Sequence, residues 1–194
     1  TTRIYPKGAY VLHMMKYVIG KDLFNASIKR YLQEHPYQNV ESNDLMMAIY
    51  KETGINLDWF FDEWLYRGGE PSYDVKFERM EKDNQSIGVF YIKQVQAFQD
   101  NVYLFKMPIE FEIHFTDGTF INKKMIIQNK DEIVQIPFDK NKTISYVLFD
   151  PNSNILKKIN FPKDFEMLKN QATQAQNMLD RYDAFVAMRD MPID

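Results

Sequence analysis

Cysteine is absent from the 194 residues, which excludes disulfides, thiolate metal ligation and a cysteine nucleophile, and leaves the redox compartment undecided. Glycine is scarce, with seven residues, and none builds a phosphate-cradling loop. None of Ser27, Ser42, Ser72, Ser86, Ser145 and Ser153 stands in a Gly-x-Ser-x-Gly elbow, so a serine hydrolase of that type is excluded. The three histidines, His13, His35 and His114, are widely separated and form no His-Glu-x-x-His pair, so the chain is expected to hold no zinc by itself. Charge of one sign is also lacking. With 24 basic and 27 acidic residues the net charge is -3, and no run of like charges predicts a nucleic-acid or anionic-membrane partner. No apolar run approaches the roughly 18 residues of a membrane span. The first residues also lack the basic, apolar, small-residue order of a signal peptide.

Apolar residues make up 45% of the chain and aromatics 15%, enough for a packed core. The apolar positions Ala9, Val11, Leu12, Met15, Val18 and Ile19 recur at helical spacing, with Pro6 in the first turn and Gly20 as the stop. A second helix is predicted from about Asp22 to Glu34, ending before Pro36. A third follows Ser42 or Asn43 as N-cap and stops at Gly54. Leu57 to Tyr66, with Trp59, Phe60, Phe61, Trp64 and Tyr66, reads as a short helix that must be buried, whereas Asp62 and Glu63 read as solvated charges or caps.

Beyond Arg67-Gly68-Gly69-Glu70-Pro71 the apolar period changes from 3.6 to 2. Ile109 to Phe115 alternates cleanly, and Asp117-Gly118 supplies a hairpin turn into Thr119 to Ile127. Further strands are predicted at Tyr73 to Arg79, Ile87 to Val95, Glu132 to Pro137 and Ile144 to Phe149, and without crossover helices they make an antiparallel sandwich. From Asp164 the helical period returns, as two short helices whose apolar residues suggest the start of a helical array.

Tyr5 is the remaining chemical group of interest. A phenol at a helix start can donate a hydrogen bond to developing negative charge, although most tyrosines in such places are packing residues. A helix that begins this close to the N-terminus also suggests a chain taken from something longer.

The stretch Arg3-Ile4-Tyr5-Pro6-Lys7-Gly8-Ala9-Tyr10 resembles the Tyr-x-Lys-Gly-Ala motif of the gluzincin zinc aminopeptidases, the aminopeptidase N family. Four further stretches resemble that family in the same order. Asn39 to Leu45 is similar to a helix start, and Leu57 to Trp64 with Gly69-Glu70-Pro71 to a Trp-Phe-x-x-Trp and Gly-x-Pro junction. Phe149 to Lys157 is similar to the last strands of the family's sandwich, and Asp180 to Ala184 to the opening of its helical domain. The resemblance implies an α+β multidomain fragment. Residues 1–71 would be the C-terminal helical part of a thermolysin-like catalytic domain, 72–162 a β-sandwich, and 163–194 the start of a superhelical α domain. It also implies that Tyr5 stabilises the oxyanion of the tetrahedral intermediate on peptide substrates, with zinc in the full-length parent and none in this chain, which alone is expected to be inactive. Lys7 and Gly8 shape the turn and permit close packing in this reading, and Tyr10 is core. The alternative is a noncatalytic scaffold related to the family. Substrate preference, oligomeric state and localisation have no signal in the sequence.

Overall fold

A computed structural model describes residues 4–98, 101–189 and 191; Arg3 of the N-terminal motif lies outside them. Two compact units result. One runs through Gly69 and includes the excursion Ala97–Lys106; the other comprises Glu70–Gln96 and the chain from Met107 onward.

The first unit is helical. Helix α1 spans Ile4–Ile19, α2 Lys21–Glu34 and α3 Ser42–Thr53. Gly20 joins α1 to α2 at φ 89°, and Gly54 closes α3 in the left-handed region at φ 72°, both conformations that glycine adopts without a Cβ penalty. The N-cap of α3 is Glu41 rather than Ser42 or Asn43. Its backbone N–H donates to the Asp44 carboxylate at 2.8 Å, a reciprocal cap that the preference for hydroxyl and amide caps did not suggest. The α2 and α3 surfaces are joined by Arg30, which bridges Glu34 and Glu52, and by Lys51 on Glu34.

Helix α4, Asp58–Phe61, passes without a break into a π-helical turn over Asp62–Tyr66. Leu57, Phe60, Phe61 and Trp64 are buried, as their density predicts, whereas Leu65 and Tyr66 face solvent. The excursion Ala97–Lys106 docks on this aromatic turn, a packing that no local pattern announces. Phe105 is buried with its ring 5.1 Å from Trp64, the Gly68 N–H donates to the Asn101 carbonyl, and the Arg67 guanidinium lies over Tyr103.

The second unit is built on two sheets. Strands β1 (Ser72–Lys82), β2 (Gln85–Gln94), β5 (Asp131–Asp139) and β7 (Lys158–Asn160) form one, in the order β5-β2-β1-β7. The other has the order β4-β3-β6, from β3 (Met107–Phe115), β4 (Phe120–Ile127) and β6 (Ile144–Phe149). All pairings are antiparallel except β7 on β1, which is parallel, so the expected purely antiparallel arrangement is corrected at that edge. The stretch Asp150 to Lys157 is not strand: a 3-10 turn over Pro151–Ser153 and a loop lead to the short β7.

Alternation puts Tyr73 and Val75 of β1, Phe90 and Ile92 of β2, Phe111 and Ile113 of β3 and Phe149 of β6 inside. Phe90 meets Phe111 at 5.1 Å between ring centroids, and Phe111 meets Phe149 at 5.4 Å in an edge-on pair. Gly88 is required where the sheets approach, because a Cβ there would lie 2.3 Å from Ile113 Cδ1. The other face of β6 presents Tyr146 and Leu148 to Ala175, which follows α5 (Phe165–Gln174). Leu168 and Ala172 of α5 pack on Ala184 of α6 (Met178–Arg189). The two predicted terminal helices are therefore present as two.

Candidate functional site

Helix α1 has two unlike faces. Val11, Met14, Met15 and Ile19 are buried, whereas Tyr5, Gly8, Ala9 and Leu12, spaced at i, i+3, i+4 and i+7, form one exposed face. Ala9 and Leu12, expected in the apolar stripe, are on the exposed side, and Met14 takes the buried position instead. Periodicity alone centred the stripe too far toward Ala9. Tyr10 is not core but partly exposed, its ring set edge-on to His13 at 5.7 Å.

The physical consequence is clearest at Tyr5. Its side chain is 87% exposed, and among the described residues no group reaches its hydroxyl. The residues one turn further along this face are Gly8 and Ala9, too small to pack the ring, and a Cβ added at Gly8 would meet nothing within 4 Å. The structure thus presents a phenol, with its O–H free to donate, on a rigid first turn that contains Pro6. A group of this type can donate to an oxygen brought to it, and its own oxygen can accept.

The other histidines are occupied elsewhere. His35 is 5.6 Å from Tyr31 between ring centroids. His114 stacks between Phe120 and Tyr146 and lies 2.7 Å from Glu112. Among the described residues no three His, Cys, Asp or Glu side chains converge as a metal site would require.

Two regions of buried charge escaped the sequence reading. Glu63, expected to be a solvated charge, is buried in the π-helical turn, and both its carboxylate oxygens lie 3.1 Å from the Lys106 backbone N–H. Burial pushes its pKa up to about 7, against the pull of that N–H, of Arg67 and of Lys106. Neighbouring Asp62 does stay on the surface, paired with Arg67. Spacing gave no signal here, because the burial of Glu63 depends on a segment some forty residues away in sequence.

In the second unit Asp150, in the left-handed region at φ 55°, accepts from the backbone N–H groups of Asn154 and Ile155 and from Lys157 Nζ at 2.5 Å. Burial pushes the Asp150 carboxyl up, and Lys157 opposes that shift. Asp180 caps the neighbouring turn by accepting from the Asn152 N–H and from Asn177. Lys163 reaches inward to the Val147 carbonyl and to Gln171, and burial lowers its pKa to about 7.

Comparison with known proteins bears first on the helical unit. Residues 1–64 match the peptidase family M1 domain. Aminopeptidase N of Lactococcus lactis is 32% identical over 134 residues, covering 67% of this chain and 15% of that protein. Such a match necessarily runs past the family domain into the strands. Tricorn protease-interacting factor F2 of Thermoplasma volcanium is 37% identical over 67 residues, covering 34% of this chain and 9% of that protein. The crystal structure of Legionella pneumophila aminopeptidase A in complex with aspartic acid shares the fold, with TM-score 0.75 and 18% identity, over 95% of this chain and 21% of that one.

Residues 1–64 thereby resemble a peptidase domain. The family these matches support is peptidase family M1, and the chain spans less than a fifth of the length of the relatives named by sequence.

Proposed function

We propose that this chain is the segment of an M1 aminopeptidase that supplies the tyrosine donor of the active site, and that Tyr5 is that donor. The observation that carries the reading is the exposure of Tyr5 on the Tyr5, Gly8, Ala9, Leu12 face, inside the stretch that matches the family domain. In this reading the parent removes N-terminal residues from peptides. The Tyr5 O–H donates to the scissile carbonyl oxygen as it becomes an oxyanion, a bond that strengthens as charge develops and so lowers the barrier rather than the binding energy alone. Gly8 and Ala9 keep the face open for substrate, and the buried Val11, Met14 and Met15 hold the helix, hence the phenol, in place.

Residues 1–71 are assigned to the end of the catalytic domain, 72–162 to the β-sandwich and 163–194 to the beginning of a helical domain. The parent carries zinc when active, bound by residues other than those described here, and the 194-residue chain by itself turns over no peptide.

The test is Tyr5→Phe in the full-length enzyme. Turnover falls by about 10² or more with zinc content unchanged, the loss typical of one oxyanion donor. Turnover within a few-fold of wild type removes Tyr5 from the mechanism. An upstream sequence without intact zinc ligands would favour a noncatalytic scaffold instead.

A further inference from the structure

A cavity of about 570 Å³ lies between the end of β6, the approach to α5, and α6, and both Lys157 and Lys163 line it. The two amines are held in opposite ways. Lys157 donates to a carboxylate, Asp150, at 2.5 Å. Lys163 Nζ has two neutral partners, the Val147 carbonyl at 2.7 Å and Gln171 Oε1 at 2.6 Å. An ammonium has three N–H groups to place, whereas a neutral amine has two and a lone pair, so two neutral acceptors suit the neutral form.

Other groups pull toward the charged form. Asp180 and Asp183 face the cavity from α6, and the Phe161 ring lies 4.5 Å from Nζ. Asp150 and Lys157 offset one another. Desolvation outweighs the attraction, and Lys163 titrates near neutrality rather than well above it. Asp180 is committed to Asn152 and Asn177, but among the described residues no hydrogen-bond donor reaches Asp183, which leaves an acid–base group on the same cavity.

We propose that Lys163 is a covalent binding site for small aliphatic aldehydes, taken up as an imine in this cavity against the apolar wall of Leu168 and Val186. The amine lone pair attacks the carbonyl carbon and a nitrogen-to-carbon bond forms. One amine proton passes to the oxygen to give a carbinolamine. The carbon-to-oxygen bond then breaks, and the oxygen leaves as water with the second amine proton, so the imine forms without oxidant or reductant.

The test treats the full chain with propionaldehyde and cyanoborohydride at pH 7 and maps the alkylated lysines by mass spectrometry. Lys163 is expected to label about ten-fold faster than exposed Lys169, because only an unprotonated amine reacts, while Lys157 stays unlabelled. In Gln171→Glu a carboxylate replaces the neutral acceptor, holds the amine as ammonium and brings Lys163 labelling down to the Lys169 rate. Labelling of Lys163 at or below the Lys169 rate in the wild-type chain overturns the proposal, as does undiminished labelling in Gln171→Glu. The continued protection of Lys157 reports that the cavity has kept its structure.

Discussion

In the helical unit the chemically distinctive side chain faces water, and in the sandwich unit three charged side chains, Asp150, Lys157 and Asp180, are turned inward. Tyr5 has no partner among the described residues, and its neighbours on the helix face are glycine and alanine. Asp150 and Asp180 have at least two protein hydrogen bonds each. The contrast separates two uses of polarity. A group that stabilises charge in a reaction must be able to meet that charge, so it is left uncommitted. A group that specifies a fold must be satisfied internally, because a buried unpaired charge costs several kcal/mol. The excursion Ala97–Lys106 shows the second use within the helical unit, where Glu63 is buried on a backbone N–H.

The largest stability effect is expected at Lys157. Lys157→Ala strands the buried Asp150 carboxylate and should cost about 3–5 kcal/mol in urea unfolding. Asp150→Asn combined with Lys157→Met should cost clearly less than the single change, since no uncompensated charge remains. A single-variant loss below about 1 kcal/mol would show the pair to be solvated.

Next in size is the pH dependence set by Glu63. Its carboxyl titrates near 4.5 in the unfolded chain and at about 7 in the folded one. Between those values the native state holds a proton that the unfolded state lacks, so stability falls as pH rises through the window and the penalty is complete above pH 7. The span is on the order of 3 kcal/mol. Glu63→Gln keeps an acceptor for the Lys106 N–H and should remove this contribution, making the variant more stable than wild type at pH 8. An unchanged slope between pH 5 and 7 would place the carboxylate in water.

Smaller still is Gly88→Ala, which forces Ile113 or a sheet to move and should cost about 1–3 kcal/mol, read as a lowered Tm. The same change at Gly8, where a Cβ meets nothing, should leave Tm within about 1 °C or raise it, since alanine favours helix.

Much of this architecture is legible in the chain because it rests on local period. The α1 to α3 helices and six of the strands follow from spacing of 3.6 and 2, and Asp117-Gly118 fixes the β3–β4 turn, with Gly118 at φ 82°. Strand β7 was not legible. Its three residues have no alternation to display, and they pair with Ser72 to Asp74, which lie far away in sequence. The docking of Ala97–Lys106 and the burial of Glu63 are tertiary events for the same reason. At the candidate site the motif drew attention to Tyr5, but spacing could not tell an exposed phenol from a packing residue. Only the placement of Met14 inside, with Ala9 and Leu12 outside, separates the faces.

As the proposed oxyanion donor, Tyr5 would be left exposed for chemistry and contribute little to folding. The direct measurement is kcat and thermal stability of Tyr5→Phe side by side in the full-length enzyme. The account predicts a kcat reduced by about 10² or more with Tm unchanged within about 1 °C. A kcat near wild type, or a loss of activity that tracks a loss of Tm, contradicts it.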